Sequence, residues 1–180
     1  MVPSDDRALV DALRCGDPRA PRWLVERYQG DVFALCFRMT GHRHDAEDVA
    51  QETFLRALRG IGGFDAERPL RPWLLGIAAN RCRTALARKA NRPGPMEMVE
   101  ECVDNRPPQS DPDDLAGELA RALERIRPEY RAVFCLFHEQ NLPYEAIAEV
   151  IERPIGTVKT WLHRARAELA GHLSRRGVGC

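Results

Sequence analysis

The sequence LPYEAIAEVI at residues 142–151 runs directly into ERPIGTVKTWLHRAR at residues 152–166, and this stretch decides the fold of the C-terminal part. Apolar residues recur at helical spacing in both pieces, and Pro154 separates them because proline cannot continue a helix. Gly156 is conformationally free, and Thr157 is predicted to be the N-cap of the second helix. The pattern predicts a helix-turn-helix, which places a helix in the DNA major groove. An ordinary helical hairpin with a solvated basic face is the competing interpretation.

The second helix of this pair has one apolar stripe, at positions i, i+4, i+7 and i+11. The stripe consists of Val158, Leu162, Ala165 and Leu169. The polar residues that must face elsewhere are Lys159, Thr160, His163 and Arg164. Their side chains suit contacts with phosphates and base edges, so this helix is a candidate DNA-reading element.

Composition places the chain among ordinary globular proteins, with 44% hydrophobic and 30% charged residues in 180. No apolar run is long enough to cross a bilayer and no signal core follows residues 1–7, so we expect a cytoplasmic protein without membrane insertion. The absence of a C-x-x-C pair argues against a disulfide scaffold or a cysteine zinc site. The six cysteines, expected to be small core residues or spectators, are Cys15, Cys36, Cys82, Cys102, Cys135 and Cys180.

The formal net charge is zero, but the charges are segregated along the chain. Every charged residue in 68–92 is basic, residues 97–118 are acidic apart from Arg106, and residues 153–176 are basic apart from Glu168. Two basic segments separated by an acidic one indicate two nucleic-acid contact surfaces joined by a tether.

Helical periodicity dominates and no run alternates as a β-strand does, so we predict an all-α fold. In the first half, helices are predicted over about 5–15, 17–28, 31–39, 45–59 and 69–90, with a loop at 41–44 and Asp45 as the N-cap of the fourth helix. Prolines punctuate residues 92–112. We therefore predict a domain at 1–92, a linker at 93–112 and a helical domain at 113–180, with helices over about 113–127 and 128–139 before the helix-turn-helix.

The fourth predicted helix has one apolar half and one acidic half. Its apolar half carries Val49, Ala50, Phe54, Ala57 and Leu58. Its other half carries Asp48, Gln51, Glu52 and Leu55. A leucine among acidic residues matches the apolar core and polar rim of an interface, and its partner would be basic and helical. The alternative is a solvated acidic face with one exposed leucine.

The fifth predicted helix carries a narrow stripe of Trp73, Ile77, Asn80 and Thr84. Basic residues flank the stripe, and Phe64 and Leu70 precede it. Aromatic and amide groups beside cations suit single-stranded DNA, whose bases stack and offer their edges. The competing interpretation is that Trp73 and Ile77 fill the core and Asn80 is incidental.

Three motifs together resemble the extracytoplasmic-function group of bacterial sigma factors. They are DAEDVAQETFLRA at 45–57, WLLGIAANR at 73–81, and GTVKT at 156–160 with RAR at 164–166. The resemblance covers nearly the whole chain in the family's order. It implies a region 2-like helical bundle and a region 4-like helix-turn-helix domain, in an initiation factor with no catalytic residues, metal or cofactor. Glu152 and Arg153 stand where the family typically has a glycine and an apolar residue.

The resemblance also implies a role for each motif. Residues docking on the clamp coiled coil of the polymerase largest subunit would be Asp45, Asp48, Gln51, Glu52 and Leu55. Residues reading and opening the minus-ten element would be Phe64, Trp73, Asn80, Arg81, Arg83, Arg88 and Lys89. Residues reading the minus-thirty-five duplex would be Thr157, Lys159, Thr160, His163 and Arg164. The implied partners are core RNA polymerase, at its clamp and flap region, promoter DNA and an anti-sigma protein.

Two other classes of function remain as alternatives. A conventional regulator would use only the helix-turn-helix and would bind a palindromic site as a dimer. A metal-dependent enzyme would draw on His42, His44, Cys135 and His138, whose spacings permit ligation.

Overall fold

The computed structural model describes residues 5–90 and 115–174, and every regular element within these ranges is a helix. The N-terminal helices are α1 (Asp6–Arg14), α2 (Ala20–Thr40), α3 (Arg43–Gly60) and α4 (Leu70–Ala90), with a short 3-10 helix (Ile61–Gly63) between α3 and α4. The C-terminal helices are α5 (Leu115–Arg125), α6 (Pro128–His138), α7 (Tyr144–Val150) and α8 (Ile155–Ser174). The all-α prediction is confirmed, and the predicted linker at 93–112 lies outside the described residues.

Helices α2, α3 and α4 pack against one another and form the centre of the N-terminal half. Their fully buried leucines and methionine are Leu24, Leu35, Met39, Leu70, Leu74 and Leu75. Each side chain of this kind contributes about 1.5–3 kcal/mol when it leaves water. Helix α1 adds Leu9 and Val10 to the same core. Arg14, at the end of α1, donates hydrogen bonds to the carbonyl oxygens of Ile61 and Phe64, so it fixes the turn before α4.

The two helices predicted over 17–28 and 31–39 are one helix, α2, and this prediction of a break was wrong. Helix α2 begins at Ala20, three residues after the predicted start at Asp17, and passes through Gly30. A glycine inside a helix costs about 1 kcal/mol relative to alanine. Burial of Tyr28 and Val32 on either side of Gly30 offsets that cost, because both side chains belong to the continuous core.

Two predicted N-caps were also wrong. Helix α3 begins at Arg43 after the extended residue His42, so the predicted loop is shorter and Asp45 lies in the first turn. An acidic side chain there still interacts favourably with the helix dipole. Helix α8 begins at Ile155, since the Pro154 carbonyl oxygen accepts the first helical hydrogen bonds, and Thr157 lies inside the first turn.

Most of the buried apolar residues of α6, α7 and α8 belong to the same core as the N-terminal helices. The cluster that contains the N-terminal core also includes Ala132, Leu136, Ile147 and Leu162, so one apolar core spans both halves of the chain. A second, smaller cluster holds α5 against α6 and α8, and it consists of Ala122, Leu123, Ile126, Tyr130, Ala165 and Leu169. The C-terminal helices are therefore docked on the N-terminal bundle.

The turn between α7 and α8 contains a backbone conformation that favours glycine. Glu152 has a φ of 54°, in the left-handed region that most side chains avoid. Glycine adopts this φ without strain, so Glu152 is a less suitable residue for the turn. Asn141, between α6 and α7, has the same φ of 54°, and asparagine tolerates it better.

Three cysteines lie inside the structure. Cys36 of α2, Cys82 of α4 and Cys135 of α6 are buried, while Cys15 is exposed. A hydrogen bond with Cys36 and burial raise the pKa of Cys82, and burial raises the pKa of Cys135. Thiols of raised pKa are poor nucleophiles. These residues act as small core side chains; Cys102 and Cys180 lie outside the described residues. Among the described helices, none combines the length and apolar character that a membrane span requires.

Candidate functional site

The acidic half of α3 is exposed, as the helical wheel predicts. Leu55 is 47% exposed, whereas Val49, Phe54 and Ala57 of the same helix are buried. Asp48 and Gln51 are exposed beside Leu55, and Asp45 and Glu52 are half-buried. An exposed apolar side chain with acidic neighbours is therefore a physical feature of this surface.

Glu52 and Asp45 on this surface are tied to basic residues of α4. Arg81 donates a hydrogen bond from Nη1 to Glu52 Oε1 at 3.1 Å, and Arg56 donates to the same oxygen at 3.0 Å. Hydrogen bonds from Arg56 and then Arg81 lower the pKa of the Glu52 carboxyl below its ordinary value. Lys89 Nζ lies 3.2 Å from Asp45 Oδ2. Residues assigned from sequence to two different surfaces thus form ion pairs with each other.

An apolar groove between α2 and α3 adjoins the acidic face, and sequence reasoning missed it. Val25 and Phe33 of α2 line it opposite Ala50 and Phe54 of α3, beside Gln51. On α2, Phe37 is 43% exposed and its ring stacks with Phe33 at a centroid distance of 6.1 Å. Phe33 and Phe37 are four residues apart, so the sequence could have indicated that two aromatic side chains share one face of this helix.

Part of the predicted stripe on α4 lines one cavity of about 310 Å³. The N-terminal half of the chain contributes to its lining Phe64, Trp73, Ile77 and Asn80. The rings of Phe64 and Trp73 are 4.7 Å apart at an interplanar angle of 41°. Asn80 Oδ1 accepts a hydrogen bond from Arg83 Nη1 at 3.2 Å, which fixes the amide orientation at the cavity edge. The cavity lining combines aromatic faces and an amide with one basic residue, Arg68, and two acidic residues, Glu149 and Glu152.

The remaining basic residues of this set lie elsewhere. Arg88 and Lys89 line a different groove, together with Asp45, Asp48 and Glu52 of α3. Arg81 faces Glu52 and Thr84. The structure therefore brings Phe64, Trp73 and Asn80 together in one cavity. Arg83 bonds to Asn80 but does not line the cavity, and neither do Arg81, Arg88 and Lys89.

The polar face of α8 is exposed on the side opposite its buried stripe. The buried residues are Val158, Leu162, Ala165 and Leu169, as predicted. The exposed residues are Lys159, Thr160, His163 and Arg164, with Thr157 half-buried in the first turn. Arg164 Nη1 donates to Tyr130 Oη at 3.1 Å, and Lys159 Nζ lies 5.6 Å from the ring centroid of Tyr144. Both cations are held by aromatic residues of neighbouring helices.

Arg166 is a further exposed cation of α8 that sequence reasoning did not assign. Its Nε and Nη2 lie 3.2 and 3.1 Å from His138 Nε2, and its guanidinium lies 5.5 Å from the Phe137 ring centroid. Burial and then the charge of Arg166 lower the pKa of His138. Among the described residues, no group of three or more His, Cys, Asp or Glu side chains is arranged to hold a metal ion.

Comparison with known protein families gives two matches. The family described as Sigma-70 region 2 matches residues 24–92, and the family described as Sigma-70, region 4 matches residues 116–169. The first range contains α3 and α4, and the second contains the helix-turn-helix. Together they define a sigma-70-type protein.

Relatives cover nearly the whole chain. The ECF RNA polymerase sigma factor SigE of Mycolicibacterium smegmatis is 33% identical, over 97% of this chain and 71% of the relative. The ECF RNA polymerase sigma-E factor of Haemophilus influenzae is 32% identical, over 89% of this chain and 91% of the relative. The ECF RNA polymerase sigma factor SigW of Bacillus subtilis is 30% identical, over 91% and 94% respectively. The chain belongs to the extracytoplasmic-function sigma factors.

Solved structures share the fold. CnrH, in complex with the cytosolic domain of CnrY, has a TM-score of 0.67 and 26% identity over 94% of this chain and 97% of that chain. The sigma factor RpoE of Bartonella quintana, in complex with the anti-sigma factor NepR, has a TM-score of 0.69 and 23% identity over 87% of this chain and 98% of that chain. Family membership makes this chain a transcription initiation factor that directs RNA polymerase to promoters. It does not favour the stand-alone regulator.

Proposed function

We propose that α3 is the surface through which this chain binds core RNA polymerase. The observation that carries the proposal is Leu55, which is 47% exposed on a helix whose other large apolar residues are buried or half-buried. Asp48 and Gln51 give it a polar rim, and Asp45 and Glu52 extend the acidic surface towards α4. Such a surface fits a basic helical partner, which the clamp coiled coil of the polymerase would provide.

The cavity on α4 would receive the minus-ten element. Trp73 and Phe64 offer aromatic faces for an extruded base, and Asn80 offers an amide for its edge. Arg83 supplies positive charge next to Asn80. Arg81, Arg88 and Lys89 would act at the end of α4 that faces the acidic surface, so their contribution to DNA binding would be through the phosphate backbone.

The exposed face of α8 would read the minus-thirty-five duplex. Thr157, Lys159 and Thr160 lie in its first two turns, where a recognition helix contacts base edges. His163 and Arg164 continue this face. Tyr130 orders the Arg164 side chain, which reduces the entropy lost on binding.

The same proposal includes the location of the chain, its lack of catalytic activity, its domains and its other partners. It acts in the cytoplasm without catalytic activity of its own, as an assembly of two functional domains at 1–92 and 113–180. Its polymerase- and DNA-binding faces are also those an anti-sigma protein would cover, in keeping with the sigma factor–anti-sigma complex that shares its fold. The flap region of the polymerase would receive the C-terminal domain.

Pull-down of sigma-free core polymerase tests the α3 assignment. Leu55→Asp and Asp48→Lys should each weaken binding by at least about 2 kcal/mol, the loss typical of a central interface residue. Asp11→Lys is the matched control, since Asp11 is an exposed acid on α1. Core binding by Leu55→Asp that equals wild type would remove α3 from the interface.

A further inference from the structure

The turn between α3 and α4, at residues 61–69, forms one wall of the candidate minus-ten cavity. Phe64 and Arg68 of this turn line the cavity. Trp73 packs against the turn on two sides, because its ring centroid is 4.7 Å from that of Phe64 and a Cβ atom on Gly60 would lie 3.6 Å from its ring. The position of the 61–69 turn therefore decides where both aromatic rings of the cavity lie.

The sequence of this turn gives it little rigidity of its own. Gly62 and Gly63 are exposed, neither has a positive φ, and a Cβ atom on either would meet no atom within 4 Å. Sterics therefore do not require glycine here, and two glycines give the backbone more freedom than other residues would. The hydrogen bond from the Phe64 N–H to the Ile61 carbonyl oxygen is 3.3 Å, longer than the usual value of about 3.0 Å. A contact from outside the turn is needed to hold it in one conformation.

Arg14, at the C-terminal end of α1, makes that contact. Its Nε donates a hydrogen bond to the Ile61 carbonyl oxygen at 3.2 Å, and its Nη2 donates to the Phe64 carbonyl oxygen. The two acceptors lie on either side of the glycine pair, so one planar guanidinium spans it. Both carbonyl groups follow the C-terminal end of α3, where a helix leaves carbonyl oxygens without partners and a cation is favourable.

Helix α1 is a fixed support for this guanidinium. Leu9 and Val10 of α1 are 0% and 1% exposed and belong to the main core. A second contact joins α1 to the turn, since Arg7 Nη1 lies 3.0 Å from Glu67 Oε1. Both side chains of this ion pair are largely exposed, and such pairs contribute little to stability. Arg14 is thus the main polar link between α1 and the 61–69 turn.

We propose that Arg14 is a positioning residue for base selection: it holds the 61–69 turn so that Phe64 and Trp73 form the cavity that receives one base of the minus-ten element. The inference rests on the proposed function of that cavity. Arg14 does not line the cavity and acts through Phe64, whose carbonyl oxygen it binds. Removal of the guanidinium should therefore change which base the cavity prefers.

Arg14→Ala tests the positioning step without DNA. The indole N–H signal of Trp73 in the nitrogen–proton NMR spectrum of the full chain should shift, because the turn against which its ring packs is released. The indole signal of Trp161, on α8, should stay in place. Arg22→Ala is the matched control, since Arg22 is exposed, pairs with Glu26 within α2 and carries the same charge. A Trp73 signal that does not move in Arg14→Ala would overturn the proposal.

Arg14→Lys keeps the test decisive if the alanine variant does not fold. Lysine retains the positive charge and a long side chain, but its compact ammonium group lacks the planar fork that spans two acceptors. The Trp73 signal should shift in the same direction as in Arg14→Ala and by a smaller amount. A lysine variant that matches wild type in both the Trp73 signal and the base preference would overturn the proposal.

Base preference is measured by run-off transcription with core polymerase and each variant. The templates are copies of one promoter that the wild-type chain uses, with each of the four bases at every minus-ten position. The readout is the ratio of transcripts from the preferred base to those from the other bases, since a general loss of folded protein lowers all transcripts and leaves this ratio unchanged. Arg14→Ala should lower the ratio about fivefold at one position, the factor that corresponds to one net hydrogen bond. Arg22→Ala should match wild type.

Phe64→Leu separates failure of this inference from failure of the proposed function. Leucine keeps an apolar side chain at this buried position but removes the aromatic face from the cavity. It should lower the same ratio at the same promoter position as Arg14→Ala. A changed preference in Phe64→Leu together with a wild-type preference in Arg14→Ala would overturn the positioning role alone. A wild-type preference in both variants, with the Trp73 signal shifted in Arg14→Ala, would overturn the minus-ten function of the cavity and with it this inference.

Discussion

The guanidinium of Arg81 on α4 and the carboxylate of Glu52 on α3 form a direct ion pair, with Nη1 and Oε1 3.1 Å apart. The resemblance to sigma factors implies a polymerase-binding role for Glu52 and a DNA-binding role for Arg81. Because the two side chains share a hydrogen bond, a change at either surface alters the electrostatics of the other. Lys89 and Asp45 repeat this relationship at 3.2 Å.

The Glu52 carboxyl should titrate below the ordinary range of glutamate, because Arg56 and then Arg81 stabilise its charged form. A depressed pKa in the folded state means that the pairing contributes stability at pH values above the ordinary glutamate pKa. That contribution is lost as the pH falls through the lowered pKa. Arg56→Ala should raise the Glu52 pKa more than Arg81→Ala does, as followed by carboxyl carbon NMR. An unchanged midpoint in both variants would contradict the pairing.

Asn80→Ala should impair promoter opening more than promoter binding, since an amide that holds an extruded base acts only after the strands separate. Permanganate reactivity of thymines in the minus-ten region measures opening, and filter binding of the polymerase complex at low temperature measures binding. Arg83→Ala is the informative partner, because Arg83 fixes the amide of Asn80; it should show a smaller effect of the same kind. Equal losses in binding and opening would contradict the assignment of Asn80.

Lys159→Ala and Arg164→Ala should weaken recognition of the upstream element. If each cation contacts a phosphate, each substitution should lower the dependence of log affinity on log salt by about 1. Tyr130→Phe should reproduce part of the Arg164 effect, since it removes the hydrogen bond at 3.1 Å that orders the guanidinium. Arg125→Ala, an exposed cation on α5, is the control. Promoter selection that is unaltered in both α8 variants would exclude them from the reading face.

Glu152→Gly should stabilise the folded protein by about 0.5–1 kcal/mol, because glycine adopts the observed φ of 54° without strain. Glycine also gives the unfolded chain more freedom, which keeps the gain small. Urea unfolding measures the difference. Glu152→Ala is the control, since alanine keeps the strained conformation. A glycine variant less stable than wild type would show that the Glu152 side chain contributes more than its backbone strain costs.

Periodicity was sufficient to predict the helical fold and the orientation of α3 and α8. The buried stripe of α8 and the exposed Leu55 follow from side-chain spacing alone, because a 3.6-residue period fixes which residues share a face. Helix boundaries were predicted less well. Asp45 and Thr157 are good capping residues, but His42 and Pro154 precede the helices in the structure.

Long-range contacts were not predictable from local pattern. Helix α2 continues through Gly30 because side chains along its whole length are buried in the core. Helix propensity is a local property and does not predict that burial. The pairing of Lys89 with Asp45 joins residues 44 positions apart. Gly76 approaches Val150 closely. In the sequence, a glycine inside a helical pattern indicates a close packing contact but does not identify the residue that it contacts.

Run-off transcription with sigma-free core RNA polymerase and a randomised promoter library tests the central claim most directly. With the wild-type chain, we expect discrete transcripts whose templates share a minus-ten and a minus-thirty-five element. Leu55→Asp removes the apolar side chain from the exposed acidic surface of α3. With this variant, transcripts should be lost although the protein stays folded. Folded wild-type protein that neither binds core polymerase nor produces any specific transcript would contradict the account.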